Sequence, residues 1–314
     1  MVAFDIDARL HWRTPQGTRP DRRGRAGGAR GAWPALHRQG RDLRTADFHI
    51  VTVPTPIDTN KTAGASAQPS ANVARRIGLA ILAYACENIG LLMITPKKLV
   101  VVGPHPDDET LGCGGTIARF ASLGTEVSVL IVSGHLPPLY DRDVFEISRK
   151  EAEAAFEIMG VTNSEFLAIP ATLVRDTPVA KLNGQIGGFI RSAAPEMVLI
   201  PFPDRHIDHR VIFDACVVAC RPSHPAAPTV VLAYETLSET HWNVPGIEPA
   251  FIPELFVDVT RHMPKKKAAL ECYASQINHA PSRSIEACMA LARFRGSQNG
   301  CHYAEAFKVV RIVV

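Results

Sequence analysis

Two short stretches concentrate the residue types that bind divalent metals and move protons. Gly103-Pro104-His105-Pro106-Asp107-Asp108-Glu109 follows the apolar run 99–102, and Pro203-Asp204-Arg205-His206-Ile207-Asp208-His209 follows the apolar run 197–202. In the first, Pro106 fixes its own φ and biases His105 toward an extended backbone, which holds the imidazole out from the strand end. Asp107 and Asp108 are adjacent and diverge outside a helix, so one can ligate a metal while the other faces a bound water. Carboxylates this close repel unless a cation lies between them or one takes a proton. In the second stretch His206 and His209 are three apart, which puts both on one side if a helix starts there. Two His and one Asp, with water in the fourth position, make a catalytic rather than a structural zinc site. The metal lowers the pKa of that water to about 7 and polarises a substrate carbonyl. The spare Asp takes the water's proton, and the spare His stabilises the oxyanion or protonates the leaving amine. The chemistry implied is metal-assisted amide hydrolysis.

The elements that must position these residues are legible from residue 98 onward. Val100-Val101-Val102 is the centre of a continuous apolar run, the mark of a strand buried on both faces. A helix-compatible stretch follows at 109–123, then a strand at 127–132. Ala152, Ala155, Phe156 and Met159 repeat at i, i+3, i+4 and i+7, one apolar helix face closed by Gly160. Residues 197–202 read as another buried strand, 211–220 as an apolar helix, and 230–234, 255–259 and 307–314 as further strands. Leu270, Tyr273, Ala274 and Ile277 mark a late amphipathic helix. Strands alternating with helices predict an α/β fold, a three-layer α/β/α arrangement with a mainly parallel, Rossmann-like sheet. Ligands bind at the carboxyl ends of such strands, where both stretches lie. Either stretch alone is more often a turn, a helix cap or a solvated pair than a site; together, at two strand ends, they mark a site.

Composition bounds the partners. The 314 residues carry 34 Lys+Arg against 31 Asp+Glu, but ten of the Arg and only four Asp fall in residues 1–44. That segment is +6, so the remaining residues sum to −3, and nothing marks the folded body as a nucleic-acid binder. Seven cysteines without a CxxC pair suggest reduced thiols and a cytoplasmic protein. The most apolar stretch, 77–94, carries Glu87 and Asn88 at its centre, which argues against a membrane span. Residues 1–92 read as a poorly ordered Arg/Gly-rich extension, a fusion scar or a misassigned start, with a short strand at 48–53; the catalytic unit is expected at 93–314, opening with Met93.

The string Pro104-His105-Pro106-Asp107-Asp108-Glu109, followed by Thr110-Leu111-Gly112-Cys113-Gly114-Gly115, resembles the signature of the PIG-L/LmbE-type zinc-dependent N-acetylglucosaminyl de-N-acetylases. His206-Ile207-Asp208-His209 resembles that family's second motif, with Ile207 where many members have Pro. The resemblance runs from about residue 97 to the C-terminus. It takes in Tyr234-Glu235-Thr236, Tyr273-Ala274-Ser275-Gln276 and Tyr303-Ala304-Glu305-Ala306-Phe307, blocks that look most like bacterial members acting on sugars or glycan intermediates. It implies that His105, Asp108 and His209 bind Zn2+, that Asp107 is the general base, and that His206 is the electrophile with Asp208 orienting it. Fe2+ suits the same ligands. It implies further that Arg149 contacts substrate, the alternative being a solvated helix charge.

The expected function is removal of an N-acetyl group from an N-acetylglucosamine-type small molecule, by a cytoplasmic enzyme compatible with homo-oligomer formation. The alternatives are a zinc amidase acting on a larger amide conjugate and a non-catalytic metal-containing carbohydrate-binding module. Several other features carry bland readings. Gly112, Gly114 and Gly115 suit close helix packing, Lys265-Lys266-Lys267 a solvated helix face, Cys216 and Cys220 core packing, and His135 a place near the pocket.

Overall fold

Leu99, Val100, Val101 and Val102 are each at most 1% exposed, which requires a strand with a neighbour on either side and cover on both faces. The computed structural model describes residues 95–223, 227–277 and 281–313, all within one compact unit, Gln68–Val314. The expected strand at 48–53, the apolar stretch 77–94 up to its last residue and the Met93 start lie outside the described residues.

The described chain runs β1 (Lys98–Gly103), α1 (Asp108–Ser122), β2 (Glu126–Gly134), α2 (Arg142–Met159), β3 (Asn163–Pro170), α3 (Val179–Ala193), β4 (Met197–Pro201), α4 (Ile207–Ala219), β5 (Val230–Tyr234), α5 (Leu237–Thr240), β6 (Leu255–Asp258), α6 (Met263–Glu271), α7 (Ile285–Ser297) and β7 (Ala304–Ile312). The seven strands form one mixed sheet in the order β3-β2-β1-β4-β5-β7-β6. The first five are parallel and β7 runs antiparallel to both β5 and β6. The expected α/β class holds. Alternation along β1 sends Leu99 and Val101 into a core with Ile117, Phe156 and Met159, and Val100 and Val102 into a second core with Ile186, Ile190 and Ile212. One core lies on each face.

The helices α3 and α7 were not expected, and three other features depart from the sequence reading. β3 was not expected, because Asn163-Ser164-Glu165 is polar; as an edge strand bonded only to β2 it needs no apolar run. The late helix is Met263–Glu271 and stops short of Tyr273, which is buried in the turn beyond it. Lys266, read as solvated, is 3% exposed and its Nζ lies 2.6 Å from Glu305 Oε1.

That burial has a local cause. Cys113 leaves helical geometry (φ −142°, ψ 21°) and divides α1 in two, which orphans backbone groups on either side of the break. Glu305 accepts from the Gly115 and Thr116 amides at 2.9 and 2.6 Å, and Lys266 donates to the Leu111 carbonyl at 2.8 Å. The glycines answer to packing, as expected. A Cβ on Gly112 would sit 2.2 Å from the Tyr234 ring, and one on Gly115 2.9 Å from Val259.

Candidate metal centre and active site

The chain leaves β1 toward β2 and β3 on one side and returns to β4 on the other, so the sheet order reverses between β1 and β4. Connections on the two sides diverge there and leave a crevice at the carboxyl ends of the strands. The β1–α1 turn and the β4–α4 turn both open into it, and they carry the two stretches singled out above.

Asp107 is fully buried at the N-cap of α1 with φ 131°, ψ −28°. A non-glycine residue in that region stores about 1–3 kcal/mol of strain and persists only where the surroundings hold it. Glu109 supplies part of that hold: its Oε2 accepts from the Asp107 amide at 3.3 Å, and its Oε1 accepts from Tyr273 Oη at 2.6 Å and Thr110 Oγ1 at 2.7 Å. Burial, with the charges of Asp108 and Glu109, raises Asp107 to about 8 against the lowering effect of Arg283. The Arg283 Nη2 lies 3.0 Å from Asp107 Oδ2.

The histidines converge on Asp108. Its Oδ2 lies 3.0 Å from His105 Nδ1 and 3.2 Å from His209 Nε2, while its Oδ1 is buried with no partner among the described residues. Burial opposes charge on both rings. Hydrogen bonds to Asp108 and Asp208 nonetheless lift His105 to about 9, and the Asp108 charge, with the Asp108 and Asp204 hydrogen bonds, lifts His209 to about 10. On the far side of His209, Nδ1 lies 3.1 Å from Asp204 Oδ2, and Asp204 also accepts from the His206 amide and Thr240 Oγ1. With all these donors turned to it, Asp204 acts as an acceptor for His209 Nδ1–H, which leaves Nε2 as the nitrogen facing Asp108, donating to it while the ring is charged and able to ligate once that proton leaves.

His206 is held differently. As N-cap of α4, its Nδ1 accepts from the Asp208 amide at 3.1 Å. Burial, reinforced by His105 and His209, lowers it to about 4, so the ring is neutral and carries its proton on Nε2. The Asp208 carboxylate was expected to orient His206. Its hydrogen bonds run instead to His105 Nε2 at 3.0 Å and the Thr172 amide at 2.7 Å, so its hold on His206 is through the backbone amide.

His105, His206 and His209 each offer a nitrogen, and these lie within 4.8 Å of one another. Adding the unpartnered buried oxygen of Asp108, the donor set suits a borderline divalent cation such as zinc. The crevice closes on a polar cavity of about 80 Å³ at these histidines, with His135, Thr172, Glu239 and Arg283 on its walls. It has room for an acetamido group, whereas pockets enclosing a whole ligand run to about 300 Å³ and more.

Six of the seven expected site residues are thus brought together. Arg149 is not among the residues lining the cavity: half-exposed on α2, it pairs with Glu153 at 2.9 Å and lies over the Phe166 ring. The cavity's arginine is Arg283, from the turn before α7. Asp204 and Glu239 likewise had no assigned role. Asp204 sits inside the second motif and could have been noticed as a third carboxylate there; Glu239 and Arg283 carry no signal in the surrounding sequence.

Comparison with known proteins places these residues in context. Residues 100–220 match the family model PIG-L: GlcNAc-PI de-N-acetylase. The diacetylchitobiose deacetylase of Thermococcus kodakarensis is 27% identical over 228 residues, covering 68% of this chain and 83% of that protein. Among solved structures, the N,N'-diacetylchitobiose deacetylase of Pyrococcus horikoshii superposes with TM-score 0.56 at 24% identity, over 68% of this chain and 84% of that one. The hydratase GalB of Pseudomonas putida superposes with TM-score 0.57 at 23% identity, over 69% and 97%. The last two show the fold alone, which hosts more than one reaction; function has to be argued from the site.

Proposed function

We propose, from the match of residues 100–220 to the PIG-L family model and from the site, that the protein is a metal-dependent hydrolase that removes the N-acetyl group from an N-acetylglucosamine-type amino sugar, giving the free amine and acetate. The observation that carries this reading is the convergence of His105, Asp108 and His209 beside a buried Asp107 and a neutral His206, in a cavity sized for an acetamido group. His105, Asp108 and His209 would hold the ion, zinc or the similarly suited iron(II). Bound there, it lowers the pKa of a water and polarises the acetyl carbonyl.

The remaining steps belong to the chain. Asp107 takes the proton as the water oxygen bonds to the acetyl carbon. The Nε2–H of His206 donates to the carbonyl oxygen as charge builds on it. Breaking the C–N bond sends the electron pair to nitrogen, and the proton held on Asp107 follows it. His206 is read as donor rather than ligand because its Nδ1 is already an acceptor, which leaves a proton and no lone pair on Nε2. Asp208 acts from behind, steadying His105. Arg149 would contact only a substrate reaching well beyond the cavity.

The catalytic unit in this reading is residues 93–314, working in the cytoplasm; among the described residues no helix is long and apolar enough to cross a membrane. The test is release of primary amine and acetate from a panel of N-acetylglucosamine compounds, with zinc-loaded and chelator-stripped protein side by side. Metal-dependent release is expected. Zinc binding without release from any sugar, but with cleavage of larger amide conjugates, would overturn the sugar assignment in favour of the amidase alternative.

A further inference from the structure

The lining of the cavity is unusual in what it leaves unbonded. Arg283 Nε is buried with no hydrogen-bond partner among the described residues, and so is His135 Nδ1. The half-buried Glu239 lines the same cavity. Buried polar groups are ordinarily paired, because an unpaired one costs about 1–3 kcal/mol. The two buried orphans in the lining of one cavity therefore mark a place where a polar ligand completes the bonding. Arg283 is also the only Lys or Arg among the described residues lining the cavity, and Asp107 and Glu239 both offset its charge. Such a lining has no surplus positive charge for an anionic substituent. It offers a donor, Arg283 Nε, and an acceptor, the Glu239 carboxylate, which together match neighbouring hydroxyls on a neutral ring.

We propose that Arg283 and Glu239 form a hydroxyl-reading subsite that selects a neutral pyranose ring next to the scissile acetamido group, Arg283 donating to one ring hydroxyl oxygen and Glu239 accepting from its neighbour. The proposal rests on the hydrolase reading above and deepens it. Because Arg283 Nη2 also touches Asp107, it is a substrate-contacting residue that at the same time positions the base: a ring seated on Nε fixes the guanidinium whose other end holds the Asp107 carboxylate.

The test combines substitution with hydroxyl deletion. Zinc-loaded wild type, Glu239→Gln and Arg283→Gln are assayed on N-acetylglucosamine and on its 3-deoxy and 4-deoxy analogues, and N-acetylglucosamine binding to zinc-free protein is followed by calorimetry. Losing one charged hydrogen bond corresponds to about a 10- to 100-fold loss. Glu239→Gln should lower kcat/KM on the parent sugar by about that factor, chiefly through KM, and Arg283→Gln should lower both kcat and kcat/KM. On the deoxy sugar lacking the hydroxyl that a residue reads, the same substitution should cost less than about threefold more. Equal losses on parent and deoxy sugars would mean a merely structural role and would overturn the subsite, as would no loss at all. Sugar binding that depends on Glu239 and Arg283 without acetate release would overturn the hydrolase reading and keep the subsite. Acetate release with uniform losses would do the reverse.

Discussion

Loading the site with zinc at pH 7 should displace about two protons, and this can be worked out from the two histidines. In the metal-free protein His105 is held up to about 9 and His209 up to about 10, because their carboxylate partners outweigh the cost of burying charge. Two and three pH units below those values, each ring is about 99% or more protonated. A ligating imidazole must be neutral, so both protons leave as the ion enters. Apparent zinc affinity should rise about 100-fold per pH unit below 9, about tenfold between 9 and 10, and level off above 10. Asp107, raised to about 8 by burial in the empty site, adds up to about one more proton if it ionises beside the ion; Asp107→Asn should remove that fraction. The same values set the stability of the empty protein. A histidine whose folded pKa lies above its unfolded 6.5 contributes stability that is complete below 6.5 and lost as pH climbs through 9 to 10. Metal-free protein should therefore lose Tm on that alkaline limb, and zinc-loaded protein should not. The assay is isothermal titration calorimetry at pH 7 in buffers of different ionisation enthalpy, where the slope of apparent enthalpy counts protons. A count below one would show that the rings are neutral in the empty site and would refute the charged His105–Asp108–His209 cluster.

Three further outcomes follow from the geometry. Asp107→Asn should retain bound metal, measured by elemental analysis, while acetate release falls about 10²- to 10⁴-fold; full activity would remove Asp107 as the base. His206→Ala should keep metal and lose about 10²- to 10³-fold in kcat, whereas His209→Ala should lose the metal itself and Asp204→Ala should weaken metal affinity about 10- to 100-fold; metal loss in His206→Ala would make that ring a ligand. Glu305→Gln leaves the Lys266 ammonium buried without its charge partner, which costs about 3–5 kcal/mol and lowers Tm by roughly 6–20 °C; an unchanged melting curve would show that the kink in α1 is supported some other way.

Much of this protein was written locally. A strand buried on both faces needs an apolar run, and residues 99–102 and 197–201 supply one each, so the strand ends, and the His and Asp residues just past them, could be located without a structure. The rise of α1 and α4 directly from those ends follows from their apolar periodicity, and alternation of strand and helix was enough for the parallel sheet. Local signals failed where burial on one side only is at stake: β3 pairs with a single neighbour, so its polar start gave no strand pattern. They failed again at Lys266, whose polar side chain is drawn inward because a break in α1 leaves a carbonyl to satisfy and Glu305 arrives from β7 to pair with it. The site divides along the same line. Types and spacing within each turn named His105, Asp107, Asp108, His206, Asp208 and His209. The proposal of one ring as electrophile and another as ligand rests on what stands behind each, the Asp208 amide at His206 and Asp204 at His209. Arg283 reaches Asp107 across 176 residues, and Glu239 reaches the same cavity from the short helix after β5. Sequence determines the elements because backbone hydrogen bonding and apolar periodicity are short-range. Convergence of distant side chains on one cavity depends on strand order and loop packing, and these exist only once the chain has folded.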